Sequence, residues 1–152
     1  MNDPIAMLKR DHREVAAMLK TLAASKPGPR RKATVEKLTD SLRLHMKIEE
    51  QRIYPLVAAR VGKEDAEEAN IEHGLARDGI DQINRLVDKP GFGAAVAMLT
   101  AGIRHHVKEE ETEVFPHLKK KLDRETLAEV GDEVARDKKA ARSPARRTKT
   151  AA

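Results

Sequence analysis

The chain has 152 residues, of which 36% are charged and only 2% aromatic, and it contains no cysteine. That length fits a single domain with one continuous core, and the missing thiols exclude disulfides, thiolate metal ligands and cysteine nucleophiles. The formal charge of +5 suggests a nucleic-acid binder only until it is located: residues 136–152 hold seven Lys or Arg against Asp137 alone, a net +6, which leaves −1 for residues 1–135.

Strong helix formers dominate, and glycine and proline fall in a few clusters rather than at hairpin spacing, so the reading is all-α. The first residues, from Met1 to His12, lack the apolar core of a signal peptide, and no stretch reaches the roughly 20 apolar residues of a membrane span. A cytoplasmic location is the expectation.

Four stripes recur at alternating steps of three and four. The first, behind an N-cap at Asp3 and a proline at position 4, runs Ile5, Leu8, His12, Val15, Leu19, Leu22. Breakers at 26–30 (KPGPR) separate it from the second, Val35, Leu38, Leu42, His45, Glu49, which reaches Leu56. Beyond Gly62 comes Ala69, His73, Ala76, Ile80, Ile83, Val87; beyond DKPGFG at 88–93 comes Val96, Leu99, Ile103, His106, Glu110, Val114. Short connections between long helices make antiparallel neighbours, which predicts an up-down-up-down four-helix bundle over residues 3–120. Residues 121–136, with Leu122, Leu127 and Val130 at helical spacing, are expected to add a short fifth helix. Residues 137–152 are expected to form a disordered basic tail.

The second half repeats the first. A shift of 61 maps His12 onto His73, Pro29 onto Pro90, Val35 onto Val96, Leu38 onto Leu99 and Leu42 onto Ile103. The same shift maps His45 onto His106, Glu49 onto Glu110, Tyr54 onto Phe115 and Pro55 onto Pro116. Histidines and glutamates thus stand where leucines belong. His12 lies 16 residues before Gly28 and His45 lies 17 after it, and His73 and His106 straddle the 89–90 turn equally, so antiparallel helices bring all of them to one level. Glu49 and Glu110 follow His45 and His106 by four residues, one turn along the same face. Burying two carboxylates beside four imidazoles with nothing between them would cost several kcal/mol per group. A pair of divalent cations removes that cost, and without thiolates the ligands must be nitrogen and oxygen, which suits iron, manganese or zinc.

At these residues the sequence resembles the hemerythrin-like, or HHE cation-binding, family of non-haem di-iron four-helix bundles. The pattern His, His-x-x-x-Glu, His, His-x-x-x-Glu is carried by His12, His45, Glu49, His73, His106 and Glu110. The resemblance implies two iron ions in an oxo-bridged centre, with manganese and zinc as lesser candidates. His12 and His45 would bind one iron, His73 and His106 the other, and Glu49 and Glu110 would bridge. It implies a small oxidant (dioxygen, nitric oxide or peroxide) as partner, with a peroxide- or NO-reactive activity open. Oxygen-carrying hemerythrins have a further histidine where this chain has Arg77, and a different spacing to the last carboxylate. The ligand set is closer to the four-histidine, two-glutamate relatives that repair iron–sulfur clusters or sense iron, although the repair proteins carry cysteines that are missing here. An iron-sensing or iron-buffering module that folds on metal occupancy is therefore the alternative, and a structural zinc bundle a third reading.

The neighbouring residues have plainer readings. His105 also precedes a glutamate by four, but the repeat and the stripe select His106, leaving His105 a candidate for support behind the ligands. His117 reads as structural. Tyr54, five residues past Glu49 and matched by Phe115, reads as packing off the ligand face. Pro55 and Pro116 should kink or end their helices. Arg77 reads as a surface residue or a partner for a carboxylate. The basic tail would give weak, salt-sensitive affinity for nucleic acid or anionic surfaces, and no obligate protein partner is evident.

Overall fold

In a computed structural model, which describes residues 2–142, the first helix begins at the expected cap. The Asp3 carboxylate accepts from the N–H groups of Ile5 and Ala6 at 2.9 and 3.4 Å, and Pro4 takes a position that needs no N–H. Helix α1 spans Pro4–Ala23, α2 Pro29–Ile48, α3 Tyr54–Arg60, α4 Lys63–Arg85, α5 Phe92–Glu109, α6 Phe115–Lys121 and α7 Arg124–Ala141. Every regular element among the described residues is helical, and none is long and apolar enough to cross a membrane.

Helix α1 packs on α2 and α5, and α4 packs on α5 and α2, so the four long helices close a ring. The stripes face inward and form two apolar clusters. One, including Leu22, Val35, Ile83 and Phe92, lies toward the α1–α2 and α4–α5 turns. The other, including Leu8, Ile53, Val57 and Leu118, lies toward α3, α6 and α7. Along α1, His12 falls between Leu8 of one cluster and Val15 of the other, so the polar layer is sandwiched between two dry ones. The turn end is fastened by buried Arg31, which donates to Ser25 Oγ at 2.9 Å, to the Val87 carbonyl at 2.9 Å and to the Ser25 carbonyl at 2.6 Å. Its guanidinium lies 4.1 Å from the centre of the Phe92 ring.

The prolines act differently from the sequence expectation of a simple kink or stop. Ahead of each, the helix widens into a π-turn, Glu49–Ile53 and Glu110–Val114, and α3 and α6 then resume. Pro55 has no N–H to offer the carbonyl four residues back. The Tyr54 N–H instead reaches back five residues to the Glu49 carbonyl, and the Phe115 N–H does the same to Glu110. Both widenings obey the 61-residue shift.

The fifth helix is longer than expected. Asp123 caps it by accepting from the Thr126 N–H at 2.7 Å, and it continues five residues past Arg136 to Ala141. The extension is fastened by ion pairs: Arg52 donates to Asp137 at 2.8 and 3.2 Å, and Lys138 pairs with Asp11. Val130 and Val134 bury the apolar side, and at Gly131 the chain comes so close that a Cβ would sit 1.8 Å from the Asn2 carbonyl oxygen. Residues 137–141 of the expected tail are therefore helical, and 143–152 lie outside the described residues.

Candidate metal centre

His12, His45, Glu49, His73, His106 and Glu110 are all buried and meet in one layer. Glu49 Oε1 lies 2.9 Å from His45 Nε2, 3.2 Å from His73 Nε2 and 4.0 Å from His106 Nε2. Glu110 Oε1 lies 3.4 Å from His12 Nε2 and 2.9 Å from His106 Nε2. Each carboxylate thus faces histidines from both halves of the duplication.

All four imidazoles turn Nε2 inward because each Nδ1 is held from outside by an acid. His12 Nδ1 meets Glu111 at 2.6 Å, His45 meets Asp11 at 2.9 Å, His73 meets Glu50 at 2.7 Å and His106 meets Glu72 at 2.8 Å. A carboxylate on Nδ1 fixes the tautomer with its lone pair on Nε2 and raises that nitrogen's basicity. Sequence reasoning missed these four acids, yet they left a signal. Each is the immediate neighbour of one of the six residues, and the shift of 61 carries Asp11 onto Glu72 and Glu50 onto Glu111. Lys138 pairs with Asp11, and Arg77 donates to both oxygens of Glu50 at 2.8 Å, so Arg77 does pair with a carboxylate. His105 reaches Glu72 at 3.5 Å and Glu109 at 3.1 Å, behind His106. His117 is exposed on α6 and does not join the layer. Removing one outer acid, as in Glu111→Gln, is expected to weaken metal affinity about 10–100-fold without unfolding the chain, which calorimetric titration of the metal-free protein would measure.

Tyr54 corrects the sequence reading. Its hydroxyl lies 2.9 Å from His73 Nε2 and 3.2 Å from His106 Nε2, and it donates to Glu110 Oε2 at 3.1 Å. On a regular helix the fifth residue after Glu49 turns away from it. The π-turn adds one residue to the loop of backbone, so i+5 returns to the same face. Burial, with the nearby Glu49 and Glu110 charges, pushes the phenol far above its ordinary value, so the proton stays on it. Phe115, its repeat partner, lies parallel to the His12 ring at 6.1 Å and offers no such group.

The donor set fits metal ions. His12 Nε2, His45 Nε2, both oxygens of Glu49 and Glu110 Oε1 are fully buried without a hydrogen-bond partner. His45 Nε2 and Glu49 Oε1 are within 2.9 Å yet do not have hydrogen-bond geometry toward each other. Neighbouring ligands at right angles, each about 2.1 Å from one ion, would stand about 3 Å apart. His12, His45, Glu49 and Glu110 form one group with donor atoms within 4.8 Å of one another, and Glu49, His73 and His106 form a second. Glu49 belongs to both.

Without metal the same layer is held by proton charge. Burial by itself depresses His45, but Glu49 and Asp11 outweigh it and raise the imidazole to about 10. His106 is raised against burial by Glu110 and Glu49 to about 11. Burial would raise Glu49, yet the charge of His45 beside it holds it well below the ordinary carboxylate range. A histidine whose folded value exceeds its unfolded 6.5 stabilises fully below 6.5 and loses that contribution as pH rises through the folded value. A depressed glutamate contributes above its unfolded 4.5 and loses it as pH falls toward the folded value. Metal-stripped protein is therefore expected to be most stable between about pH 4.5 and 6.5 and to lose stability steadily up to about 11. Urea unfolding midpoints at pH 5.5, 7.5 and 9.5 would check the order.

A ring of helices enclosing a buried cluster of histidines and glutamates defines a helical cation-binding domain. This chain belongs to the hemerythrin HHE cation-binding domain family, whose model matches residues 3–118. Comparisons with curated proteins and with solved structures returned no match. As a family member the chain is a metal-binding domain, with the residues above as its candidate ligands.

Proposed function

We propose that the chain is a non-haem di-iron protein that binds, senses or reacts with a small oxidant: dioxygen, nitric oxide or peroxide. The observation that carries this reading is the set of five buried donor atoms without hydrogen-bond partners, arranged so that each glutamate spans both halves. His12 and His45 would hold one iron, His73 and His106 the other, with Glu49 and Glu110 between them. Bound iron would supply the redox chemistry and open positions for the small ligand.

The chain's own residues supply the rest. Asp11, Glu50, Glu72 and Glu111 fix the four imidazoles. Leu42, Met46 and Ile103 line the approach and limit water. The Tyr54 hydroxyl keeps a proton beside Glu110 on the His73–His106 side alone, so the two halves of the centre are chemically unequal. Elemental analysis of freshly purified protein together with its absorption spectrum tests the proposal. Two irons per chain and a spectrum that changes with peroxide or nitric oxide are expected; zinc, or iron inert to all three oxidants, would overturn it.

A further inference from the structure

The interior of the ring holds a cavity of about 680 Å³ that reaches all four histidines at one end. Dioxygen, nitric oxide and peroxide are each near the size of a water molecule, whose share of volume is roughly 30 Å³. The cavity is of the size that takes a drug-sized organic ligand. Its lining along α5 runs from Ala94 to Val107, roughly 20 Å of helix at 1.5 Å per residue, so it is elongated. The walls are almost wholly apolar, and the exposed lining residues, such as Leu75, Met98 and Gly102, lie on α4 and α5, which places the mouth on that seam.

Comparison of the two halves singles out this seam. Toward the turns the repeat keeps large apolar residues, Leu19 onto Ile80, Leu22 onto Ile83 and Leu38 onto Leu99, but along this seam it breaks. Gly79 and Gly102 stand where the first half has Met18 and Ser41, and Ala76 stands where it has Val15, which thins the wall. At the rim, Leu75 and Met98 replace Glu14 and Lys37, and one turn before Leu75 the exposed Ile71 replaces Arg10. Those three are the exposed large hydrophobic residues of the described chain, at 66%, 78% and 66% exposure. Small residues inside and apolar residues outside appear on one seam, whereas its duplicate on α1 and α2 keeps charged, solvated side chains.

We propose that the cavity binds an elongated apolar molecule, a fatty-chain compound seated with its oxygen-bearing end toward the histidine layer. The orientation rests on the metal reading of that layer; the binding itself does not. The apolar rim receives the chain, and the polar end meets the only cluster of polar groups in the lining, His12, His45, His73, His106, Glu72 and His105.

Decan-1-ol is a suitable probe, titrated into zinc-loaded protein carrying ¹³C-methyl methionine. Met46 lies in the inner wall and Met98 at the mouth, while Met7 packs in the other apolar cluster and serves as the control. Saturable shifts of Met46 and Met98 with Met7 unmoved are expected, one probe molecule per chain. Filling the cavity by Ala76→Phe or Gly102→Leu should weaken binding at least tenfold; a Cβ at 102 meets nothing within 4 Å, so that variant should fold. Absence of saturable binding, or binding that neither filling variant weakens, would overturn the proposal. So would sedimentation as a dimer that takes up no probe, since the seam would then belong to a second copy. Metal content measured on the same sample separates the two readings. Metal-loaded protein that ignores the probe defeats the cavity alone, and metal-free protein that binds it defeats the centre alone.

Discussion

Glu49→Gln is expected to leave the purified protein with at most one metal ion per chain. Glu49 is wholly buried, both of its oxygens lack hydrogen-bond partners, and it alone belongs to both donor groups. An amide keeps the shape but loses the charge and one acceptor, so in the proposed di-iron centre it would not serve both ions. The same change in metal-stripped protein removes one of the two carboxylates that stand 2.9 Å from His45 and leaves the buried imidazolium with Asp11 alone at that distance. Breaking a buried pair in this way costs about 3–5 kcal/mol. Elemental analysis reads the first effect and urea unfolding the second; a variant that retains two ions would refute the sharing role of Glu49.

Tyr54→Phe makes the second largest difference, and makes it in rate rather than stability. The substitution gives the first half the residue that the second already has at Phe115. It removes the protonated oxygen from beside His73, His106 and Glu110. Because the phenol keeps its proton, it acts as a hydrogen-bond donor rather than as an acid; losing one donor aimed at a reacting centre commonly costs 10²–10³ in rate, so the peroxide-dependent spectral change of iron-loaded protein should slow by about 10². Stopped-flow absorption measures it. Metal content should stay at the parent value, because the candidate ligands and their outer acids are untouched. A variant with parental kinetics would reduce Tyr54 to packing.

How much of this was legible beforehand follows from geometry. His12, His45, His73, His106, Glu49 and Glu110 could be read because each occupies a position in a 3.6-residue stripe that should be apolar, and because one offset relates them. Tyr54 could not, since its place depends on a local change of helical period that no stripe records. Asp11, Glu50, Glu72 and Glu111 were hidden for another reason. Each sits about 100° around its helix from an inward residue and so resembles surface charge, yet it meets a histidine on a neighbouring helix. Residues 137–141 resemble a solvated tail by composition, but Asp137 and Lys138 are fixed by Arg52 and Asp11, which lie 85 and 127 positions away in sequence.

The widened turn after Glu49 makes the register of this scaffold depend on winding as well as on residue count. A rod of unchanged length that wound regularly through residues 49–54 would swing everything downstream by about 100°. Circular dichroism would register almost nothing, while the phenol would leave the histidines and Val57 would leave the oily layer beneath them. Deleting one residue there would instead restore regular winding with the phenol four places after the acid, still on the same face. Designers transplanting this fold should therefore preserve spacing and local winding together, rather than overall helicity.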